Sequence, residues 1–209
     1  MNAAMGKVRV IGGRWRGTRL EVPAVAGLRP TSDRVRETVF NWLMPWLPGA
    51  RVIDLFAGTG ALGLEALSRG AASAVLAERD ASLAAALRAT LARLEGGERG
   101  QVLQGDGLAF LRGSTDTFDI AFVDPPFAGD LWTQAWPLLA PRLAPEAMVH
   151  VESPVDVDPA VPADWVVHRE GRTREVRYAL YRVPGAEPAA DTLDADPTAG
   201  EPSTRNENA

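Results

Sequence analysis

From residue 51 onward the chain alternates between short apolar runs and longer stretches rich in Ala and Leu. The runs RVIDLF (51–56), ASAVLAE (72–78), QVLQGD (101–106), FDIAFVD (118–124) and AMVHVES (147–153) have the length and the Val, Ile and Phe content of buried strands. Between them, ALGLEALSRG (61–70), DASLAAALRATLARLE (80–95), GLAFLR (107–112) and GDLWTQAWPLLAPRL (129–143) predict helices, the last disturbed by an internal proline. Strand–helix alternation predicts an α/β fold with a parallel sheet covered on both faces. The final stretch WVVHREGRTREVRYALYRV (165–183) predicts a hairpin that gives the sheet an antiparallel edge.

The first fifty residues follow another pattern. KVRVIGGRWRGTRLEV (7–22) predicts a hairpin turning through its glycines. A Pro- and Gly-containing loop leads to TSDRVRETVFNWL (31–43), a predicted helix that Thr31 or Ser32 can cap. Val35, Val39, Trp42 and Trp46 fall on its apolar face, and the two tryptophans are expected in the core; Arg34, Thr38 and Asn41 fall on another face. From residue 184 the composition is Pro, Ala, Asp, Glu and Thr, which predicts a disordered acidic tail. The expected organisation is a hairpin extension (1–30), an α/β domain with its lead-in helix (31–183) and the tail (184–209).

Composition narrows the chemistry. In 209 residues there is no cysteine, which excludes disulfides, Cys-rich zinc sites, iron–sulfur clusters and thiolate nucleophiles. Two histidines, His150 and His168, do not suggest a metal centre. No apolar run is long enough to span a bilayer and no signal-peptide pattern is present, so the expected location is cytoplasmic, with no membrane partner. The net charge is −5, but residues 1–42 carry eight basic groups against three acids while residues 184–209 carry six acids against one arginine. Positive charge is concentrated at one end.

DLFAGTGALG places Gly58, Gly60 and Gly63 in a G-x-G-x-x-G turn between a strand and a helix, a common nucleotide-binding joint. Asp54 ends the preceding strand, where its carboxylate would repel a pyrophosphate but suit a ligand with an ammonium group and no phosphate. S-adenosylmethionine is such a ligand. Glu78, ending the second strand, can accept ribose hydroxyls, and Asp106, after the third, can meet the adenine edge directly or through a neighbouring amide. The candidate cofactor residues are Asp54, Phe56, Gly58, Thr59, Gly60, Glu78, Arg79, Asp106, Gly107 and Asp124.

The fourth strand ends in DPPF, Asp124 to Phe127. Pro125 and Pro126 stiffen the corner and offer carbonyl oxygens instead of amides. Phe127 supplies a flat face for an extruded base. Asp124 and the Pro125 carbonyl could each hold one N–H of an exocyclic amine, favouring a pyramidal nitrogen whose lone pair points at a methyl group. These four residues are the catalytic candidates.

With these motifs the chain resembles the class I S-adenosylmethionine-dependent aminomethyltransferases. RVIGGRWRGTRLEVP, GLRPTSDRVRETVFNWL and VIDLFAGTGALGLEALSRGA resemble, more narrowly, the RsmD family of bacterial 16S rRNA guanine-N(2) methyltransferases, from about residue 8 to residue 182. The resemblance implies a seven-stranded Rossmann-like sheet with a reversed last strand and an N-terminal hairpin extension. It also implies a guanine 2-amino group of 16S rRNA as acceptor, within a small subunit or its precursor.

In GGRWRGTR, Arg14, Arg16 and Arg19 surround Trp15 on a glycine-rich turn, and Arg34 and Arg36 follow on the helix. Guanidinium groups suit phosphates and Trp15 could stack on a base, so Gly12, Gly13, Arg14, Trp15, Arg16, Arg19, Arg34 and Arg36 form a candidate RNA surface. A monomer without metal is expected. Competing readings are a DNA aminomethyltransferase, disfavoured by the short chain, a nicotinamide oxidoreductase, disfavoured by Asp54, and a non-catalytic RNA-binding assembly protein.

Overall fold

A computed structural model describes residues 8–20, 23, 31–126 and 131–185. Phe127, residues 24–30 and the acidic tail beyond residue 185 lie outside the described residues. Seven strands form one sheet: β1 (Arg51–Asp54), β2 (Ser73–Glu78), β3 (Gly100–Gln104), β4 (Phe118–Val123), β5 (Leu143–Pro154), β6 (Val166–Arg172) and β7 (Val176–Arg182). The helices are α1 (Asp33–Leu43), α2 (Ala61–Ser68), α3 (Ala81–Arg93), α4 (Gly107–Gly113) and α5 (Leu131–Leu139), with short 3-10 turns at Gly97–Arg99 and Ala140–Arg142.

The strand order is β3-β2-β1-β4-β5-β7-β6. β3 through β5 run parallel, and β7 lies antiparallel between β5 and β6. The expected sheet with a reversed last strand is therefore the one observed. One face carries α1, α2, α3 and the N-terminal arm over Val52, Leu76, Ile120, Phe122, Met148 and Leu180. The other carries α4 and α5 over Ile53, Val75, Ala121, Val149 and Ala179. Strand order reverses between β1 and β4, and at such a switch point the carboxyl ends of neighbouring strands leave a crevice.

Two boundaries differ from the sequence expectation by more than two residues. β5 begins four residues earlier than predicted, because a register shift between Phe118 and Ile120 and a positive φ at Glu146 let the LAPE segment pair despite Pro145. α5 runs through Pro137 and ends two residues later at Leu139.

The N-terminal arm is not two strands. It closes through one antiparallel bridge, Arg9 with Arg19, flanked by Leu20 N–H to Val8 O and Val10 N–H to Thr18 O, each at 2.9 Å. Turns within the arm take Arg16 N–H to Gly13 O, Gly17 N–H to Val10 O and Thr18 N–H to Trp15 O, and three other amides turn to α2. Ile11 N–H donates to Glu65 Oε2 (2.7 Å), Arg14 N–H to Ser68 O (2.9 Å) and Trp15 N–H to Ser68 Oγ (2.9 Å). Val8, Val10, Trp15 and Leu20 join the core below.

This docking corrects four of the RNA assignments. Trp15 is only 5 % exposed and its indole N–H donates to Glu95 O (3.0 Å), so neither face is open to a base. Gly12 O accepts from Ser68 Oγ, and a Cβ on Gly13 would fall 2.0 Å from Ser68 O, so these glycines admit helix α2, not a nucleic acid. Arg36 is fully buried: Nη2 donates to Arg9 O (2.9 Å) and to Asp33 Oδ1, while Nη1 lies 3.8 Å from Glu65 Oε2 as an ion pair without a hydrogen bond. Glu65 also accepts from Arg69 Nε. Arg36 thus ties the arm, α1 and α2 together. Arg14, Arg16, Arg19 and Arg34 are exposed.

Ser32, not Thr31, caps α1, its Oγ accepting from Val35 N–H. Trp42 and Trp46 are half-buried at the rim instead of in the core, Trp42 stacked on Tyr178 at 5.6 Å and Trp46 edge-on to His168 at 5.1 Å.

Candidate active site

Asp54, Glu78, Asp106 and Asp124 all stand at or just beyond the carboxyl ends of parallel strands, hence along one edge of the sheet. The central acid is Asp54, 3 % exposed, whose Oδ2 accepts from Gly63 N–H at 2.9 Å. Gly63 is the third residue of α2, and the helix's capping residue, Gly60, is left-handed and has no side chain to offer. The amide end of α2, where a pyrophosphate would otherwise sit, is therefore occupied by the protein's own carboxylate. The first motif glycine is likewise engaged: Gly58 N–H donates to Glu78 Oε2 (2.7 Å). Both facts disfavour a dinucleotide.

Desolvation pushes the Asp54 carboxyl up to about 7; the Gly63 hydrogen bond opposes this and the charge of Glu78 adds to it. A carboxylate so placed is short of positive charge. Glu78 is half-buried and oriented by two amides, Gly58 at Oε2 and Asp80 at Oε1 (2.7 Å), leaving each oxygen a further lone pair toward the crevice. Asp106 caps α4, with Oδ1 accepting from Leu108 and Ala109 N–H, so Oδ2 alone is left for a ligand. Phe56 is half-buried, Thr59 buried and Arg79 exposed beside them.

At two of the candidate glycines there is no room for a side chain. A Cβ on Gly60 would meet Leu87 at 2.2 Å, and one on Gly107 would meet Leu55 O at 2.6 Å. Their bareness lets the start of α2 pack against α3 and the start of α4 against the chain leaving β1.

At the next strand Asp124 follows β4 and Glu152 nears the end of β5. The register pairs Phe122 with His150 and Val123 with Val151, which sets these two acids side by side. Thr31, just before α1, reaches both: its Oγ1 lies 3.3 Å from Glu152 Oε2 and 3.5 Å from Asp124 Oδ2. Withdrawal of the Asp124 carboxyl from water, then the charges of Glu152 and Asp54, hold its pKa well above the usual carboxylate range. β1 and β4 are neighbours, with Asp54 paired to Phe122, so Asp54 and Asp124 stand at adjacent strand ends and the charge of one bears on the other. Pro125 is buried and Pro126 exposed. Among the described residues no three His, Asp or Glu side chains are grouped to hold a metal ion.

Glu152 was not among the sequence candidates. Its signal was present, an acid near the end of the fifth predicted strand, and the same strand-end rule that selects Asp54 and Glu78 selects it.

A doubly wound sheet with this order, a glycine turn whose helix end is held by an acid, and DPP at the neighbouring strand define a class I, Rossmann-like methyltransferase. The description Conserved hypothetical protein 95 belongs to the family model that matches residues 8–182. The chain is 47% identical over 184 residues to the ribosomal RNA small subunit methyltransferase D of Escherichia coli strain K12, covering 87% of this chain and 92% of that one. It therefore belongs to the ribosomal RNA small subunit methyltransferase D family. The solved structure of the yhhF protein of Escherichia coli superposes with a TM-score of 0.78 at 44% identity, covering 86% of this chain and 99% of that one. An RNA methyltransferase from Salinibacter ruber, solved with S-adenosyl-L-homocysteine, shares the fold at a TM-score of 0.60 and 18% identity, covering 77% of this chain and 97% of that one.

Proposed function

We propose that this protein transfers a methyl group from S-adenosylmethionine to the exocyclic 2-amino group of a guanine in 16S ribosomal RNA, in the cytoplasm and within the small subunit or its precursor. The observation that carries the reading is the placement of Asp54 and Asp124 at the adjacent carboxyl ends of β1 and β4, Asp54 held by Gly63 N–H and Asp124 beside Glu152 and Thr31. The donor set fits the cofactor: Asp54 is placed for a cationic amino group, Glu78 for ribose hydroxyls, and the end of α2 rejects a phosphate. A neighbour of the same fold holds the demethylated product, and the relatives' name supplies the ribosomal RNA.

S-adenosylmethionine, when bound, would supply an electrophilic methyl group whose sulfur leaves with the bonding electron pair. The chain's own groups do the rest. Asp124 and the Pro125 carbonyl each hold one N–H of the amine, which withdraws its lone pair from the ring. Positive charge growing on nitrogen meets a preorganised carboxylate in a water-poor crevice. The released proton ends on Asp124, whose surroundings already favour the protonated form. Thr31 keeps Asp124 and Glu152 in register.

Labelled methyl transfer to 16S rRNA, to small-subunit particles and to duplex DNA tests this, with 2-methylguanosine expected on digestion of the ribosomal substrate. Asp124→Ala should lower turnover by roughly 10²–10⁴-fold and leave cofactor binding measurable. Label in duplex DNA alone, or no transfer at all, overturns the reading.

A further inference from the structure

The exposed arginines divide between two edges of the sheet. The turn bearing Arg14 and Arg16 is fixed to Ser68, the last residue of α2, and through Trp15 to Glu95 beyond α3. Both anchors precede the start of a strand, Ser73 and Gly100, so this turn sits at the amino edge. The crevice is at the carboxyl edge, about 12 Å away along an eight-residue helix. Arg14 and Arg16 therefore lie at the sheet edge opposite the crevice.

Another basic feature does lie at the carboxyl edge. β7 is antiparallel to β5, pairing Glu152 with Tyr178 and Pro154 with Val176, so the β6–β7 turn rises beside the end of β5. Residues 166–182 carry Arg169, Arg172, Arg174, Arg177 and Arg182 against Glu170 and Glu175, in a chain of net charge −5. Arg177 donates to Glu170 at 2.9 Å and also feels Asp158; Arg182 pairs with Glu146. Among the described residues, no ion pair neutralises Arg172 or Arg174, both exposed. Arg172 directly faces Arg177 across the hairpin, a like-charge pair that costs stability. The turn is rigid. Thr173 Oγ1 accepts from Val176 N–H (3.0 Å) and Glu175 N–H (3.2 Å), and Thr173 N–H donates to Val176 O (2.8 Å).

We propose that the tip of the β6–β7 hairpin, through Arg172 and Arg174, grips the phosphate backbone of the RNA next to the nucleotide entering the crevice. This rests on the ribosomal RNA reading above. By strand spacing and rise the tip stands roughly 10–15 Å from Glu152, within reach of phosphates flanking an extruded base. Guanidinium groups on a rigid turn match phosphate oxygens with little ordering cost. Arg34, exposed in the first turn of α1 at the same edge, adds to the field.

The test is the double variant Arg172→Ala, Arg174→Ala with in vitro transcribed 16S rRNA. Fluorescence anisotropy should show a Kd raised roughly tenfold near physiological salt, and a plot of log Kd against log salt flattened by ~1.5. The paired change to Lys should restore most of that slope, and the KM for S-adenosylmethionine should stay within twofold. An unchanged Kd and slope overturns the hairpin assignment, whatever the activity. Failure of the wild-type protein to methylate the RNA or the particle, with the binding difference intact, would instead sink the methylation reading and leave the hairpin a nucleic-acid surface.

Discussion

Asp54 carries two opposed demands. As a ligand for a cation it must be charged; as a residue of the folded interior it resists charge. Its folded carboxyl titrates near 7 against 3.8 for an ordinary one. Below pH 3.8 folded and unfolded chains are both neutral there. Between 3.8 and 7 only the unfolded chain ionises, so stability falls as pH rises, by up to ~4 kcal/mol on this group alone. Asp54→Asn keeps an acceptor for Gly63 N–H and removes the charge. It should raise the melting temperature of the unliganded protein at pH 8, show little gain below pH 4, and lose cofactor affinity. A gain independent of pH would mean that burial is not what shifts this acid. Asp54, Glu78, Asp106 and Asp124 were legible in the sequence because each follows an apolar run, and strand ends share an edge in a parallel sheet. Trp15 and Arg36 were misread because periodicity says nothing about where a second element docks. An arginine on a helix looks the same from sequence whether it meets solvent or a buried Glu65.

At the scale of elements, the arm, α1 and α2 are held by Arg36, Glu65 and Arg69, with Asp33 and Arg9 at the margin. Removing one partner from a buried ionic cluster leaves the other uncompensated, which costs about 3–5 kcal/mol. Arg36→Met should therefore destabilise the protein by roughly 3 kcal/mol in denaturant titration. It should also expose the Arg14–Arg19 turn to trypsin at a rate well above wild type, because the guanidinium is what holds the carbonyl of Arg9. Loss of stability without faster cleavage would show that the arm is held by its apolar contacts alone. The strands and helices from residue 51 onward were legible because short Val-, Ile- and Phe-rich runs, buried on both faces, alternate with longer Ala- and Leu-rich segments. The arm was not, because it pairs with itself at one bridge only and spends the amides of Ile11, Arg14 and Trp15 on α2, so a run that reads as hairpin folds as a strap. The extension of β5 through Pro145 was hidden for a related reason: a bulge lets a strand continue past a residue that cannot donate.

For the whole molecule, the sheet's middle contains an unused ionisable group. His150 is fully buried on β5, edge-on to Phe122 at 5.9 Å, and neither ring nitrogen has a hydrogen-bond partner among the described residues. Desolvation lowers its pKa to about 4 from 6.5. Above pH 6.5 both folded and unfolded chains are neutral at this site. As pH falls toward 4 only the unfolded chain takes the proton, and ~3 kcal/mol of stability is lost. His150→Leu should stabilise the protein, with the gain over wild type growing from pH 7.5 to pH 4.5 in thermal unfolding. An equal gain at both pH values would leave only the unpaired ring nitrogens as its source. His150 and Asp54 bend the pH–stability curve in opposite directions across the same range, and Asp124, a second buried acid, acts with Asp54. The buried acid behind Gly63 also reaches into physiology. Any cation that settles against it raises the resistance of the chain to unfolding, and thus to proteases that act on opened molecules. Without such a ligand the chain opens more readily at neutral pH, and the carboxylate that makes the pocket selective is also where it is weakest.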